Sequence, residues 1–181
     1  MATDAPSLSI VPTIGVSLAV PEPWGSQLQE YRIGMGDEAA RHIPSHITLL
    51  PPYEIDESEL DEVVGHLEDV AGRNHPFRVH LRGTGTFRPT SPVVFVGVVE
   101  GISQCEALAA GVLQGPLAIE RAFPFHPHVT IAHHLPEPLL EQAFVELEHF
   151  DAAFNVAEMW MYLHDQDSGW LPTRAFAFKD V

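Results

Sequence analysis

A four-residue motif that occurs twice, each time in the same setting, constrains this chain more than any other feature. The tetrapeptides HITL at 46–49 and HVTI at 128–131 both read His-x-Thr-aliphatic. Each is followed by a segment with the apolar spacing of a helix, and then by a segment typical of a strand that starts near Phe77 or Phe154. The repeat predicts two similar halves related by a pseudo-twofold axis, with the motif strands side by side or facing each other across one cleft.

Within each motif the side chains should separate onto two faces. Side chains alternate along a β-strand, so the polar residues of a motif project from one face and the aliphatic residues from the other. The polar pairs are His46 with Thr48 and His128 with Thr130. We therefore predict that each motif presents one histidine and one threonine to the cleft, backed by a hydrophobic anchor.

The rest of the chain predicts an alternation of strands and helices. Asp56 and Glu59 have the spacing of a capping box at the start of the second helix. Pro51 and Pro52 are expected to stop the strand that precedes it. We expect strands at 13–20, 45–50, 77–81, 92–99, 128–132, 154–162 and 175–178, and helices at 24–35, 56–72, 102–113 and 138–149.

Length and composition indicate a globular chain. Its 181 residues, 45% of them hydrophobic, are enough to bury a substantial core, and we take residues 1–181 as a single bilobal domain. No apolar run approaches the roughly 20 residues that span a bilayer. The segment 1–11 lacks the basic start and long apolar stretch of a secretory signal. We therefore expect a cytoplasmic protein that does not enter the membrane, and we expect it to be a monomer.

The charge balance limits the partners and the chemistry. With 25 acidic and 9 basic residues the formal charge is −16, which disfavours capture of a long nucleic-acid backbone; we expect no DNA binding and an RNA substrate held only at one end. Lys179 is the only lysine, so the chain has no internal lysine for a covalent nucleotide adduct or a phosphate-binding G-x-x-x-x-G-K-[ST] loop. Cys105, the only cysteine, is expected to be a small buried hydrophobic residue.

Two histidines at one cleft suit the chemistry of a phosphodiester. Cleaving or forming such a bond requires a base for the attacking oxygen, an acid for the departing oxygen, and donors for the non-bridging oxygens. An imidazole titrates near pH 6.5, so His46 and His128 can divide the acid and base roles. The hydroxyls of Thr48 and Thr130 can hold the non-bridging oxygens where charge accumulates.

These residues resemble a known family. The two tetrapeptides, in the surroundings HITLLPPY and FHPHVTIAHH, together with the stretch TGTFRPTSPVVFVGV and the helix after each motif, are similar to the 2H phosphoesterase superfamily and in particular to its 2′-5′ RNA ligase-like bacterial branch. The resemblance covers most of the chain. The four motif positions His46, Thr48, His128 and Thr130 match the family pattern without substitution.

The resemblance implies a fold, an activity and a ligand class. It implies an α+β fold of two lobes, with two antiparallel sheets flanked by helices around a central cleft. It also implies catalysis without metal or cofactor on 2′,3′-cyclic or 2′-5′ phosphodiesters of a nucleotide or short RNA end. Hydrolysis would use water as the nucleophile, and an RNA 5′-hydroxyl in its place would form a 2′-5′ bond without ATP. The direction and the assignment of acid and base stay open.

Three other interpretations remain open at this stage. The motif histidines can be structural, which is the commoner role of a single strand histidine. The cluster His126, His128, His133 and His134 is dense enough to suggest a metal site, because His126, His128 and His134 share a face of an extended strand and can in principle meet at one zinc ion. A noncatalytic module that binds nucleotides or a protein would keep the cleft without turnover.

Three further side chains lie beside the motifs and have no assigned role. Arg88 precedes an apolar strand and is placed to approach a phosphate or to remain solvated. Tyr53 and Phe125 flank the motifs and can stack on a base or pack in the core. We leave all three outside the catalytic set.

Overall fold

The structure is a computed structural model that describes residues 11–180. Residues 1–10, on which most of the argument about a secretory signal rests, lie outside the described residues. Within 11–180 no helix is long and apolar enough to cross a membrane. The elements are, in chain order, β1 (Thr13–Ala19), α1 (Trp24–Gly34), β2 (His46–Glu54), α2 (Leu60–Gly72), β3 (Phe77–Thr86), β4 (Val93–Glu100), α3 (Ile102–Val112), β5 (His128–His133), α4 (Glu137–Glu146), β6 (Asp151–Val156), β7 (Glu158–Asp165) and β8 (Gly169–Ala177).

The strands form two four-stranded sheets with matching orders. The first sheet has the order β2-β1-β7-β8 and the second the order β5-β4-β3-β6. All neighbouring strands are antiparallel. Each motif strand is therefore an edge strand beside the strand that precedes it in the chain. The two orders correspond position by position, as a pseudo-twofold axis requires, and the predicted α+β fold of two antiparallel sheets is confirmed.

The two sheets exchange strands, which corrects part of the predicted repeat. The sequence pattern equated the strand at Phe77 with the strand at Phe154, but these lie in β3 and β6, which are neighbours in the second sheet. By position in the sheets, the counterpart of β3 is β7. Since β3 follows the first motif and joins the second sheet, and β7 follows the second motif and joins the first sheet, each lobe is completed by the other.

Two predicted strand boundaries were wrong. The expected strand at 154–162 is two strands, β6 and β7, which belong to different sheets and separate at Ala157. The strand β2 was expected to stop at Pro51 and Pro52 but continues to Glu54. Prolines are tolerated there because β2 is an edge strand and its pairing with β1 is irregular at that point. The predictions also placed the start of β8 too late and the end of α4 about three residues too late.

Several local predictions are confirmed. Asp56 and Glu59 form a reciprocal capping box, in which the Asp56 side chain accepts from Ser58 N and the Glu59 side chain accepts from Asp56 N. One turn later α2 begins and buries Val63 and Leu67 on the predicted stripe. Cys105 is fully buried on α3, and burial raises the pKa of its thiol to about 12, as expected of a packing residue.

The motif strands share one burial pattern and one irregularity. In both, the histidine and threonine are half-buried while the two aliphatic residues are buried. The cross-strand register then slips by one residue, which leaves Leu49 of β2 and Ile131 of β5 without a partner. Such a bulge adds a residue to one strand and twists it locally. The same bulge at the fourth motif position in both halves supports the predicted symmetry at the level of the backbone.

A close contact next to the second motif depends on a missing side chain. Gly85 of β3 pairs with Phe95 of β4, and a Cβ at Gly85 would lie 2.5 Å from two carbons of the Phe95 ring. Real Cβ atoms do not approach a ring this closely. The Phe95 ring therefore occupies the space that any other residue at position 85 would fill.

We expect Gly85→Ala to lower the free energy of unfolding by about 1–3 kcal/mol, since the Phe95 ring must leave its position to admit the methyl group. Chemical denaturation of the purified protein measures this. Gly65→Ala is the matched control, because Gly65 lies inside α2 with no atom within 4 Å of the added carbon. That variant should be unchanged or more stable by up to about 1 kcal/mol. Equal effects of the two substitutions would contradict the packing argument.

Candidate active site

A cavity of about 280 Å³ lies between the two motif strands. Three of the four predicted residues line it, namely His46 and Thr48 from β2 and Thr130 from β5. His128 is not among its lining residues, although it lies on β5 only two residues before Thr130. The motif strands therefore face each other from separate sheets, which is one of the two arrangements that the sequence allowed.

Each motif histidine makes an equivalent hydrogen bond to the backbone two residues before it. Nδ1 of His46 lies 2.6 Å from the carbonyl oxygen of Pro44, and Nδ1 of His128 lies 2.6 Å from that of His126. A carbonyl oxygen only accepts, so Nδ1 carries a proton and donates it in each case. In the neutral ring Nε2 is then unprotonated and available to take a proton. The backbone two residues before each histidine thus selects its tautomer.

The pKa values of both histidines lie below the ordinary range. Burial is the main cause at His46; the hydrogen bond to Pro44 opposes it and the charge of Arg32 adds to it. Burial is also the main cause at His128, where the hydrogen bond to His126 opposes it and the charges of His126 and His46 lower the pKa further. A positive charge on His46 is thus among the causes that lower the pKa of His128.

Two phenylalanines surround His128, and the sequence did not single them out. The rings of Phe87 and Phe95 each lie 5.0 Å from the His128 ring, centroid to centroid, and Phe87 meets it edge to face. Phe87 and Phe95 also contact each other at 4.6 Å. Their apolar rings contribute to the burial of His128. The only available signal was their position in the TGTFRPTSPVVFVGV stretch.

The motif threonines are open to the cavity. Thr48 and Thr130 both line it, and neither hydroxyl is among the buried unpaired atoms of residues 11–180. Thr48 is paired across the strands with Ser17, which also lines the cavity. The hydroxyls therefore border the space in which an anion would bind.

Beyond the two motif strands, the cavity continues along the first sheet and not along the second. Thr48 has the small residue Ser17 as its cross-strand partner, whereas Thr130 has Phe95, whose ring fills the corresponding space. Gly15 on β1 leaves further room, which the Trp170 ring covers at 3.3 Å from the position of an added Cβ. Tyr162 and Trp170 complete this end of the cavity. No sequence pattern points to these two residues, because β7 and β8 reach the site only through the exchange of strands.

Two more charged or titratable residues line the cavity: Arg32, which the sequence did not single out, and His133, which it placed only in the candidate metal cluster. Arg32 comes from α1, and His133 comes from the end of β5. Strict alternation from His128 and Thr130 would place Ala132 on the cavity side. The bulge at Ile131 changes this, so that Ala132 is buried and His133 faces the cavity.

The three side chains without an assigned role lie apart from the cavity. The Arg88 guanidinium donates to Glu137, to Glu141 and, through Nε, to Thr86 Oγ1. Tyr53 and Phe125 are partly buried and pack against the core. None of the three lines the cavity, so the structure favours packing and ion pairing for them.

The metal alternative requires His126, His128 and His134 to converge. The rings of His126 and His128 are 6.2 Å apart, but His134 lies beyond β5, where it stacks on His133 at 3.8 Å. His134 follows His128 by six residues, and six residues of extended chain span about 20 Å. Among residues 11–180, no three His, Cys, Asp or Glu side chains are grouped to hold a metal ion. The cluster suggested by the sequence is therefore not assembled.

Two antiparallel sheets that each present a His-x-Thr edge strand to one cleft define the class of 2H phosphoesterases. The chain belongs to the 2′-5′ RNA ligase superfamily, whose model matches residues 20–168. The resemblance drawn from the motifs is confirmed.

Curated relatives match part of this chain. A Bacillus cytotoxicus protein is 35% identical over 95 residues, which are 52% of this chain and 55% of that protein. A Bacillus cereus protein is 33% identical over the same shares of both chains. Both are provisionally named phosphoesterases. The chain spans about half the length of the curated relatives it matches.

Solved structures share the fold over nearly the whole chain. A Thermus thermophilus protein superposes with a TM-score of 0.65 at 24% identity, over 93% of this chain and 98% of that one. Escherichia coli LigT, solved in complex with 3′-AMP, superposes with a TM-score of 0.61 at 19% identity, over 93% and 99% of the two chains. At these identities the likeness concerns the fold.

The lowered histidine pKa values predict a pH dependence of stability. Unfolded imidazoles take up a proton near pH 6.5, whereas His46 and His128 stay neutral to lower pH in the folded protein. The unfolded chain then binds more protons below that pH, so their contribution to the free energy of unfolding falls as the pH drops below about 6.5. NMR titration should show both rings titrating below 6.5, and urea unfolding at pH 7.5 and 5.5 should show the loss.

Substitution of single histidines separates the contribution of His46 and His128 from other effects of acid on the free energy of unfolding. His46→Gln and His128→Gln should each reduce the loss of stability between the two pH values. His149→Gln is the control, because the His149 side chain is 93% exposed, and it should leave the loss unchanged. Motif imidazoles that titrate at or above 6.5 would contradict the assignment.

Proposed function

We propose that this protein is a metal-independent phosphoesterase that opens 2′,3′-cyclic phosphates, or cleaves 2′-5′ phosphodiesters, of nucleotides or RNA ends. The observation that carries the proposal is the matched pair of imidazoles, one from each sheet, with Nδ1 of His46 and His128 held by a backbone carbonyl. This bond leaves Nε2 of each ring as the exchangeable site. Family membership and the provisional names of the relatives support the reaction class.

The two histidines divide the proton transfers. Neutral Nε2 of one takes a proton from water as the water oxygen attacks phosphorus, and protonated Nε2 of the other gives a proton to the ribose oxygen as the P–O bond breaks. The coupling between His46 and His128 favours one shared proton, since the charge of one lowers the pKa of the other. The reverse reaction exchanges the roles.

The threonines and the bonded carbonyls assist this transfer. Thr48 and Thr130 line the cavity, and their hydroxyls donate to the non-bridging oxygens, which gain charge as the nucleophile adds. The carbonyls of Pro44 and His126 stabilise the charged imidazole that forms in each step, because they accept from Nδ1. The mechanism needs no metal ion for these roles.

The asymmetric cavity fits a nucleoside beside His46. Its first-lobe end is covered by Trp170 and Tyr162, whose rings offer stacking surfaces to a base. Escherichia coli LigT has been solved with 3′-AMP and with NADP⁺, which supports a nucleotide as the ligand. A formal charge of −16 favours a mononucleotide or a short RNA end over a long strand. A 5′-hydroxyl in place of water would give 2′-5′ ligation without ATP.

We expect His46→Ala and His128→Ala each to lower turnover of a nucleoside 2′,3′-cyclic phosphate by about two to four orders of magnitude, because each removes an acid or base. The assay contains EDTA and includes a short RNA that ends in a 2′,3′-cyclic phosphate, with the product identified. His149→Ala serves as the matched control and should keep wild-type turnover. Turnover that survives both motif substitutions would refute the two-histidine mechanism, and turnover abolished by EDTA would refute its independence of metal.

We expect Trp170→Ala to raise KM for a nucleoside 2′,3′-cyclic phosphate by about 5- to 150-fold with little change in kcat, because base stacking contributes about 1–3 kcal/mol. Trp170→Phe should retain much of the affinity. The control substrate is glycerol 1,2-cyclic phosphate, which has no base and should be unaffected by either change. Trp160→Ala is the control variant, since Trp160 bonds to Glu158 and does not line the cavity. Equal losses on both substrates would show a structural role instead.

A further inference from the structure

Arg32 is a buried cation at the wall of the cavity. It lies on α1, and its side chain is only 6% exposed. Asp37, whose side chain is 7% exposed, accepts from both Nε and Nη2 of Arg32 at one oxygen, at 3.1 Å and 2.6 Å. Placing an ion pair in a protein interior costs desolvation energy, which only good geometry and further hydrogen bonds offset. Such a pair beside a cavity in a chain of charge −16 calls for an explanation.

One donor group of Arg32 is left over. Nη1 makes no hydrogen bond to any residue of the described range 11–180, while Nε and Nη2 are both bound to Asp37. Nη1 keeps some accessible surface, since Arg121 Nη2 is the only fully buried unpaired side-chain nitrogen or oxygen of those residues. Because Arg32 lines the cavity, Nη1 has access to it. The guanidinium is thus fixed on one side and free on the other.

The charge of Arg32 acts inside the cavity. It is one of the causes that lower the pKa of His46 and of His133, and at His133 the Asp37 carboxylate opposes it. Arg88 differs in each respect, because Nε, Nη1 and Nη2 all have partners and it does not line the cavity.

We propose that Arg32 binds the phosphate group of the substrate through Nη1, and that Asp37 is a positioning residue that holds the guanidinium toward His46. The proposal rests on the proposed function and extends it by naming the cation for the anionic end of the substrate. A guanidinium that is already held in place loses little conformational entropy when it binds phosphate. Arg32 also supplies positive charge as the equatorial oxygens gain negative charge in the reaction.

The test removes the charge without leaving a buried ion alone. Arg32→Gln alone would strand the Asp37 carboxylate in the interior, and such an unpaired charge is strongly destabilising. The double variant Arg32→Gln/Asp37→Asn keeps the approximate shapes and buries no charge. Arg32→Lys is the second variant, since an ammonium keeps the pair with Asp37 but loses the planar fork of donors. Arg88→Gln is the matched control for removal of an arginine.

Binding of inorganic phosphate is measured by calorimetry, and KM and kcat are measured with a nucleoside 2′,3′-cyclic phosphate. We expect the double variant to bind phosphate about 10- to 100-fold more weakly and to show a higher KM, as for a lost charge-assisted hydrogen bond. Arg32→Lys should be weakened to a smaller extent, and Arg88→Gln should match the wild type. Wild-type phosphate affinity in whichever Arg32 variant folds would overturn the proposal.

The pH profile gives a readout that a purely structural role would not change. The groups around His46 that carry or can gain charge are Arg32 on α1 with its partner Asp37, His128 and His133 on β5, and Tyr162 on β7. Loss of the Arg32 charge should move the His46 limb of kcat/KM to higher pH, and an unmoved limb would count against the proposal. If the wild type turns over substrate and an Arg32 variant keeps its phosphate affinity, KM and pH profile, only this inference is refuted. A wild type with no turnover of any tested phosphodiester refutes the proposed function.

Discussion

The antiparallel pairing of each motif strand with the strand before it is the interaction on which the site depends. This pairing, β2 with β1 and β5 with β4, sets which side chains of each tetrapeptide enter the core. The buried residues Ile47 and Val129 anchor the strands, and the residue at the fourth position forms a bulge in both. Because the anchors are buried, the histidines and threonines between them have little freedom to move. The edge strands β2 and β5 belong to different sheets and face each other without hydrogen-bonded pairing.

The symmetry of the backbone is broken by side chains, and the broken symmetry has a functional meaning. Ser17 and Phe95 occupy equivalent places opposite the two motif threonines. The serine leaves space beside His46, and the phenylalanine ring fills the equivalent space and buries His128 in an apolar surround. One lobe therefore offers room for a ligand, whereas the other places two aromatic rings against its imidazole. Two histidines with the same backbone hydrogen bond thus have different surroundings, and the proposed division into an acid and a base would use that difference.

The sequence predicted the local features that depend on neighbouring residues. The capping box at Asp56, the stripe of α2 and the alternation within the motifs all arise from contacts within a few residues, and all are present. The errors have physical causes that act at longer range. A strand through Pro51 and Pro52 is possible only because β2 lies at an edge, and the division at Ala157 exists only because β6 and β7 serve different sheets.

What the sequence by itself determined is the pair of motifs, the fold class that they imply and the alternation that turns the histidine and threonine of each motif to one side of its strand, because strand periodicity and the repeat are visible in one dimension. Only the tertiary structure decided what else surrounds them. Arg32 approaches from a helix, His133 is turned inward by a bulge, and Trp170 arrives on the last strand of a sheet completed by exchange. These positions depend on how distant segments pack and on where a strand slips its register, and no local pattern of residues records either.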